Sequence, residues 1–255
     1  MRKKILVIIF LYLFLFSFNA QAKTGASSTF DGSGDYLTWG TFIPVSGTSK
    51  RSICSWIKAN DSSGFLTISS WGDADTGTAG SGYRFKINDS TDRLRTEVNS
   101  GNEVANTTDV SNGSTWYWVC SVLTGTNITD VVHYVNNTDD GTASSTARAI
   151  NTSTTCDLMI GTQHTGACSP NGTTYYSGEM SNLLIFNEQI TAVSMAELMF
   201  NPSAVPGGLV FFDPMWDGSN THRDLSSNAK SGTVNGNVDG SASGPPVMFG
   251  GGLPL

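Results

Sequence analysis

The sequence predicts an all-β protein in which two antiparallel sheets pack as a sandwich beside one short helix. Three observations lead there. Short apolar and aromatic runs recur along the chain with Gly-, Asn- and Asp-rich turns between them, as strands and hairpins require. Only residues 192–200 carry a secure helical pattern, which argues against a parallel α/β fold. The densest apolar run of the domain, Trp116-Tyr117-Trp118-Val119-Cys120-Ser121-Val122-Leu123, does not alternate cleanly, so it reads as a central strand covered on both faces.

The chain opens with Met1-Arg2-Lys3-Lys4, an apolar run ending at Phe18, and Ala20-Gln21-Ala22. A basic start, an apolar stretch and a small-x-small site make a secretory signal peptide, expected over residues 1–22. The run is shorter than the roughly 20 apolar residues that span a bilayer. The expected product is therefore exported: secreted, periplasmic or at a cell surface, with no membrane attachment after cleavage. Residues 23–240 suit one sandwich domain, with 205–240 as its closing segment and 241–255 as a Gly/Pro-rich tail, loosely packed or joined to a partner.

Within the domain, residues 30–39 read as strand, turn, strand, with Asp31-Gly32 and Ser33-Gly34 supplying the turn. Residues 52–58 set Ile53, Ser55 and Ile57 against Cys54, Trp56 and Lys58, the period of a strand. Residues 64–71 are another strand, and 83–87 alternate cleanly. Residues 93–98 read as a weaker strand on an exposed face. Strands are expected at 131–135, 157–161 and 178–186, with a turn over 136–141. Thr191 or Ser194 caps the helix, Ser194-Met195-Ala196-Glu197 fits a capping box, and Asn201-Pro202 ends it. A strand at 208–213 and a segment at 224–234 close the domain.

Charged residues are only 14% of the chain and the net charge is −7, so no basic surface awaits phosphate and nucleic acid is not an expected partner. Four cysteines in an exported chain argue for disulfides, for which three pairings are open. Cys54 and Cys120 each sit in a strand-like run, whereas Cys156 and Cys168 flank a loop. Pairing like with like gives Cys54–Cys120 and Cys156–Cys168. No His/Cys spacing resembles a zinc site.

Taken in order, these motifs resemble the laminin G-like, concanavalin A-like jelly rolls, including their pentraxin-like branch. Phe30-Asp31-Gly32 with Asp35-Tyr36-Leu37 is similar to the opening strand pair. Ile53-Cys54-Ser55-Trp56-Ile57-Lys58 and the 116–122 run resemble two inner strands. Tyr134-Val135-Asn136 resembles a turn motif, and 178–187 with Ile190-Thr191 the close. The resemblance covers about 30 to 200 and implies a two-sheet antiparallel jelly roll with one short helix. It also implies a Cys54–Cys120 disulfide. The stretch 208–234 resembles one that commonly precedes such domains; here it follows, as if the order were permuted.

The resemblance further implies calcium at one edge with a glycan beside it. Calcium needs several oxygen ligands. Asp73 and Asp75 fall where first ligands would stand, and they read equally as turn aspartates. The second half of such a site would fall at 162–165, where Gln163 and His164 stand and no carboxylate does. Trp71, Tyr175 and Tyr176 are candidate aromatic faces for sugar rings, with Trp71 also readable as the end of a core strand. Glycosidases need paired carboxylates across the scissile bond, and no such pattern or Ser/His/Asp signature is present.

The functional expectation is a noncatalytic binding domain that recognises a glycan or an extracellular protein surface. The alternatives are an assembly component, such as a virion or surface-layer protein that oligomerises, and a degenerate glycoside hydrolase.

Overall fold

The computed structural model describes residues 26–60, 64–74, 77–215, 222–241 and 244–245. The signal peptide expected at 1–22, Asp75 and most of the tail lie outside the described residues.

The chain forms, in order, β1 (Ser27–Asp31), β2 (Tyr36–Trp39), β3 (Arg51–Ala59), β4 (Leu66–Gly72), β5 (Tyr83–Ile87) and β6 (Leu94–Val98). There follow β7 (Gly101–Val104), β8 (Tyr117–Leu123), β9 (Val131–Val135), β10 (Thr138–Asp139), β11 (Ser144–Thr146) and β12 (Cys156–Ile160). The last elements are β13 (Ser177–Phe186), α1 (Ala192–Phe200), β14 (Leu209–Asp213), β15 (Thr233–Asn235) and β16 (Asp239–Ser241). The first sheet runs β10-β9-β8-β3-β13-β1-β16, with β14 also on β13. The second runs β11-β7-β6-β5-β4-β12-β2-β15.

The inner faces share one large core. Ile53 and Ile57 of β3, Val119 of β8 and Ile185 of β13 meet Leu37, Ile68, Phe85, Leu94 and Ile160 of the second sheet. A smaller cluster lies on the outside of the first sheet. There Cys54, Trp56, Trp118, Cys120, Leu184 and Phe186 pack under Met195 and Leu198 of α1. This explains why 116–123 fails to alternate: Val119 and Leu123 face the other sheet while Trp118, Cys120 and Val122 face the helix. Cys54 and Cys120 stand directly opposite across β3 and β8 and are bonded, as are Cys156 and Cys168.

β13 is ten residues long and needs more than one neighbour on its far edge. β1 covers one half of that edge and β14 the other. β16 then extends β1, and β15 extends β2 in the second sheet. The segment after α1 thus supplies strands to both sheets. The buried His222–Asp213 pair, 2.8 Å apart, helps hold it.

Several local expectations are corrected. Residues 94–98 are not an exposed strand: Leu94, Thr96 and Val98 are fully buried because that face of β6 packs on the first sheet, where Thr96 bonds Ser121 and His133. The helix is capped by Thr191, whose hydroxyl accepts the Ser194 N–H at 3.1 Å. Ser194 is inside the first turn, so the Ser194–Glu197 box does not form. The turn placed over 136–141 is tighter, since Asn136 and Asn137 take positive φ and Thr138–Asp139 already pairs with β9. Ser241 belongs to β16 rather than to a loose tail. β7, β11 and β16 were not visible as strands, because their residues are mainly polar and small.

Candidate ligand-binding surface

Three loops meet at one end of the second sheet. Backbone hydrogen bonds tie them: Gly47 N–H to Thr152 O at 2.8 Å, Asn151 N–H to Gly80 O at 3.0 Å and Ser153 N–H to Ser81 O at 2.8 Å. Gly72, with φ 101°, ends β4 beneath them; a Cβ there would stand 2.6 Å from both Ser81 O and the Thr152 methyl. The close approach therefore requires glycine. Arg51, fully buried, pins the floor from below. Its guanidinium donates to Thr152 Oγ1 at 2.7 Å and Gly47 O at 3.0 Å and lies 4.7 Å over the Tyr83 ring. Burial lowers its pKa to about 10, which leaves it charged at neutral pH.

Above that floor is an open hollow of about 580 Å³ lined by Ser46, Asp73, Thr78, Ser81, Asn151 and Thr154 among others. Asp73 organises its wall. One carboxylate oxygen accepts the Ala74 N–H at 2.8 Å, and the other accepts the Ser81 hydroxyl at 2.7 Å and the Thr78 N–H at 3.3 Å. Among the described residues, no three His, Cys, Asp or Glu side chains converge. Calcium takes six to eight oxygens; the Asp73 carboxylate is already committed to loop donors, and Asp75, the other expected ligand, lies outside the described residues.

The other candidate residues are dispersed. Trp71 is no sugar platform: it is fully buried, donates its indole N–H to Val45 O at 2.8 Å and packs 5.1 Å from Tyr83. Tyr176 is likewise in the core, edge-on to Phe30 at 5.8 Å, with its hydroxyl donating to Glu179 O. Tyr175 is half-buried and stacks on Tyr36 at 6.2 Å, at the opposite end of β12 from Asp73. Gln163 and His164 are buried against the outside of the second sheet. Gln163 Oε1 accepts from Lys86 Nζ at 3.2 Å, and His164 Nδ1 faces Ser70 Oγ at 3.3 Å. Burial, then the charge of Arg84, lowers the His164 pKa to about 4, so it stays neutral.

That outer face is the feature sequence reasoning missed. Arg84 and Lys86 of β5 oppose Glu97 and Arg95 of β6. Glu97 receives Lys86 at 3.1 Å, Arg95 at 2.5 Å and, more distantly, Arg84 at 3.9 Å. Arg84 also reaches Asn99 at 2.7 Å and the Asp73 carbonyl at 3.2 Å, joining this strip to the hollow. Burial pushes the Glu97 carboxyl up, but Lys86, Arg95 and Arg84 outweigh it and hold the pKa below the ordinary value. Burial dominates at Lys86, whose pKa is lowered despite Glu97. The available signal was that residues 84, 86, 95 and 97 concentrate charge at period two in a chain poor in it.

Comparison with known proteins fits this architecture. The family described as the concanavalin A-like lectin/glucanases superfamily matches residues 31–196. The chain belongs to that superfamily. No curated protein matches the sequence. Among solved structures, a proposed carbohydrate-binding protein from Bacteroides ovatus superposes with a TM-score of 0.65 at 17% identity. The alignment covers 89% of this chain and 62% of that one, so this superfamily member spans less than two thirds of its neighbour. A heptameric SAP-like pentraxin from Limulus polyphemus aligns at TM-score 0.49 and 18% identity, over 69% of this chain and 82% of that one. The CBM40 of the Ruminococcus gnavus IT-sialidase aligns at TM-score 0.48 and 8% identity, covering 68% and 97%. At these identities the likeness to the Bacteroides protein shows the shared superfamily fold alone. In this superfamily member, the described residues bring a single carboxylate to the hollow, that of Asp73.

Proposed function

We propose that the chain is an exported, noncatalytic glycan-binding domain that holds its ligand in the hollow beside Asp73. The carrying observation is the wall: hydroxyls, an amide and one carboxylate converge on an open concavity whose loops are fixed from below by Arg51. Such groups match saccharide hydroxyls in donor and acceptor capacity. A hydrolase would need a second carboxylate across the bond; among the described residues the hollow's lining holds only that of Asp73, and Glu97 is already paired with cations. Two disulfides suit an oxidising compartment. Asn151 and Thr154 are exposed on the wall, so filling the hollow with Asn151→Trp or Thr154→Trp leaves the fold intact. A glycan array read with wild type and both variants tests the reading. Retained signal in both variants, or no glycan bound by wild type, overturns it. Chelator is expected to leave binding unchanged.

A second reading, assembly, rests on α1. Val193 is 77% exposed and Phe200 44%, seven residues apart and so on one helix face. Concentration-dependent oligomers abolished by Val193→Ser with Phe200→Ser, together with an empty array, would favour it.

A further inference from the structure

We propose that Lys86 and Gln163 join covalently, as an isopeptide cross-link between β5 and the loop that covers the second sheet, with Glu97 as the proton carrier. The reaction is aminolysis of the Gln163 side-chain amide by the Lys86 amine, with ammonium released. It does not depend on the glycan reading. The observation behind it is a juxtaposition of three groups in a dry site. Lys86 Nζ lies 3.2 Å from Gln163 Oε1 and 3.1 Å from Glu97 Oε1. Lys86 is 2% exposed and Gln163 3%.

Each group is held in place before any reaction. Lys86 opposes Arg95 across β5 and β6, and Glu97 stands two residues on, so its carboxylate reaches Nζ diagonally. The Phe65 ring closes over Nζ at 4.2 Å. Gln163 is fixed at both backbone groups: its N–H donates to Thr174 Oγ1 at 3.4 Å, and its carbonyl accepts the Asn171 N–H at 2.8 Å. The Cys156–Cys168 bond anchors the same loop. Cδ lies one bond of about 1.2 Å beyond Oε1, and the terminal torsion of glutamine is soft. A turn of the amide therefore brings Cδ within the roughly 3–3.5 Å of a near-attack arrangement. Burial is the largest influence on Lys86 and favours the neutral amine, the form that attacks. Glu97 opposes that shift, and the charges of Arg95 and Arg84 add to it.

The step balances without a co-reactant. Glu97 takes a proton from the Lys86 ammonium. The Nζ lone pair bonds to Cδ while the carbonyl π pair moves onto Oε1. Glu97 passes its proton to Nε2, the Cδ–Nε2 bond breaks with its electron pair, and the carbonyl re-forms. A second proton passes from Nζ through Glu97 to the departing ammonia, which leaves as ammonium. One Nζ–Cδ bond replaces one Cδ–Nε2 bond, nothing is oxidised or reduced, and no water enters. The product is a neutral amide, so the charge of Lys86 no longer has to be kept out of water. The same exclusion of water keeps hydrolysis of the Gln163 amide from competing. The surface offers a contrast. Lys50 Nζ donates to Gln189 Oε1 at 3.3 Å, the same two groups at nearly the same distance, but both residues are exposed. That pair is expected to stay unlinked.

Intact-mass spectrometry of the whole chain, exported so that both disulfides form and then reduced and unfolded, tests this. Wild type is expected to be lighter than its processed sequence by one ammonia per chain. Trypsin is expected to release a branched peptide in which residues 85–93, uncut after Lys86, are joined to the peptide that holds Gln163. Lys86→Met, Gln163→Met and Glu97→Gln are each expected to keep full mass. The last retains both reacting groups and so isolates the proton carrier. The proposal is overturned if wild type has its full mass and trypsin cuts after Lys86. It is equally overturned if the missing ammonia maps elsewhere, to Lys50 and Gln189 or to an Asn-Gly turn, or if folded Glu97→Gln cross-links as wild type does. If the variants misfold, the wild-type peptide map decides the matter alone.

Discussion

The outer faces of the two sheets are both covered, but by opposite means. On the first sheet, α1 lays Met195 and Leu198 over Trp118, Phe186 and the Cys54–Cys120 bridge, and the covered groups are apolar. On the second, loop residues Gln163 and His164 lie over Ser70 and Lys86, and the covered groups are charged or hydroxylic. The 156–168 bridge fastens that loop to the start of β12. An apolar cover contributes through area removed from water. A polar cover contributes little net stability, since desolvation offsets most of the ion-pair gain, but it fixes charges in place. The first face is architecture; the second can present oriented groups to a ligand.

The largest test of that contrast is removal of each disulfide. Replacing Cys54 and Cys120 together by Ala opens a 66-residue separation and is expected to cost about 4 kcal/mol. Replacing Cys156 and Cys168 opens 12 residues and is expected to cost about 3 kcal/mol or less, with faster hydrogen exchange confined to the covering loop. Equal or reversed losses in denaturant midpoints would contradict it.

Leu198→Ala is next. It strips a fully buried contact between α1 and the first sheet, for an expected loss of about 3 kcal/mol in thermal or denaturant unfolding. On the charged face the asymmetry lies between partners. In a Gln163→Met background, which has no amide to cross-link, Glu97→Gln takes from Lys86 and Arg95 the carboxylate that pairs them and is expected to cost about 2 kcal/mol, below the fully buried range because Glu97 is 15% exposed. In the same background, Lys86→Met leaves Glu97 still paired with Arg95 and is expected to cost under about 1 kcal/mol. A reversed order would refute that asymmetry.

The smallest effect at neutral pH is that of the buried histidines. His133, bonded to Thr96 Oγ1 at 2.9 Å inside the core, is held by burial at about 3, and His164 on the charged face at about 4. Both folded pKa values lie below the ordinary 6.5, so the unfolded chain binds more protons between these limits. Their contribution is fully present above about 6.5 and is lost as pH falls toward 4 and then 3. His164→Gln should flatten the upper part of this acid limb and leave the lower, His133 part in place. An unchanged limb would show that His164 does not carry it.

How much of this was legible in the chain depends on how local the signal is. The strand at 116–123, its two covered faces, the helix bounds and the Cys54–Cys120 pairing follow from periodicity and from residue context within a few positions. Those signals arise in neighbouring residues and are complete before the chain folds. Asp73 was placed correctly at the mouth of a loop for the same reason, through its turn chemistry.

Trp71, Tyr176 and the charged strip were not legible, because burial is set by what returns from elsewhere. Trp71 looks like the end of a strand at a loop; Val45, twenty-six residues earlier, comes back to accept its N–H and seals it. Lys86 belongs to an alternating polar face, yet it is dry because a loop some 77 residues later folds over it. β7, β11 and β16 pair because neighbouring edges offer free backbone groups, a property of the neighbour and not of their own polar residues. Period and turn chemistry are written in consecutive residues, and so the sequence specifies which stretches become strands. Which side chains remain open to a ligand depends on contacts between distant segments, and only the folded arrangement of loops over the second sheet specifies that.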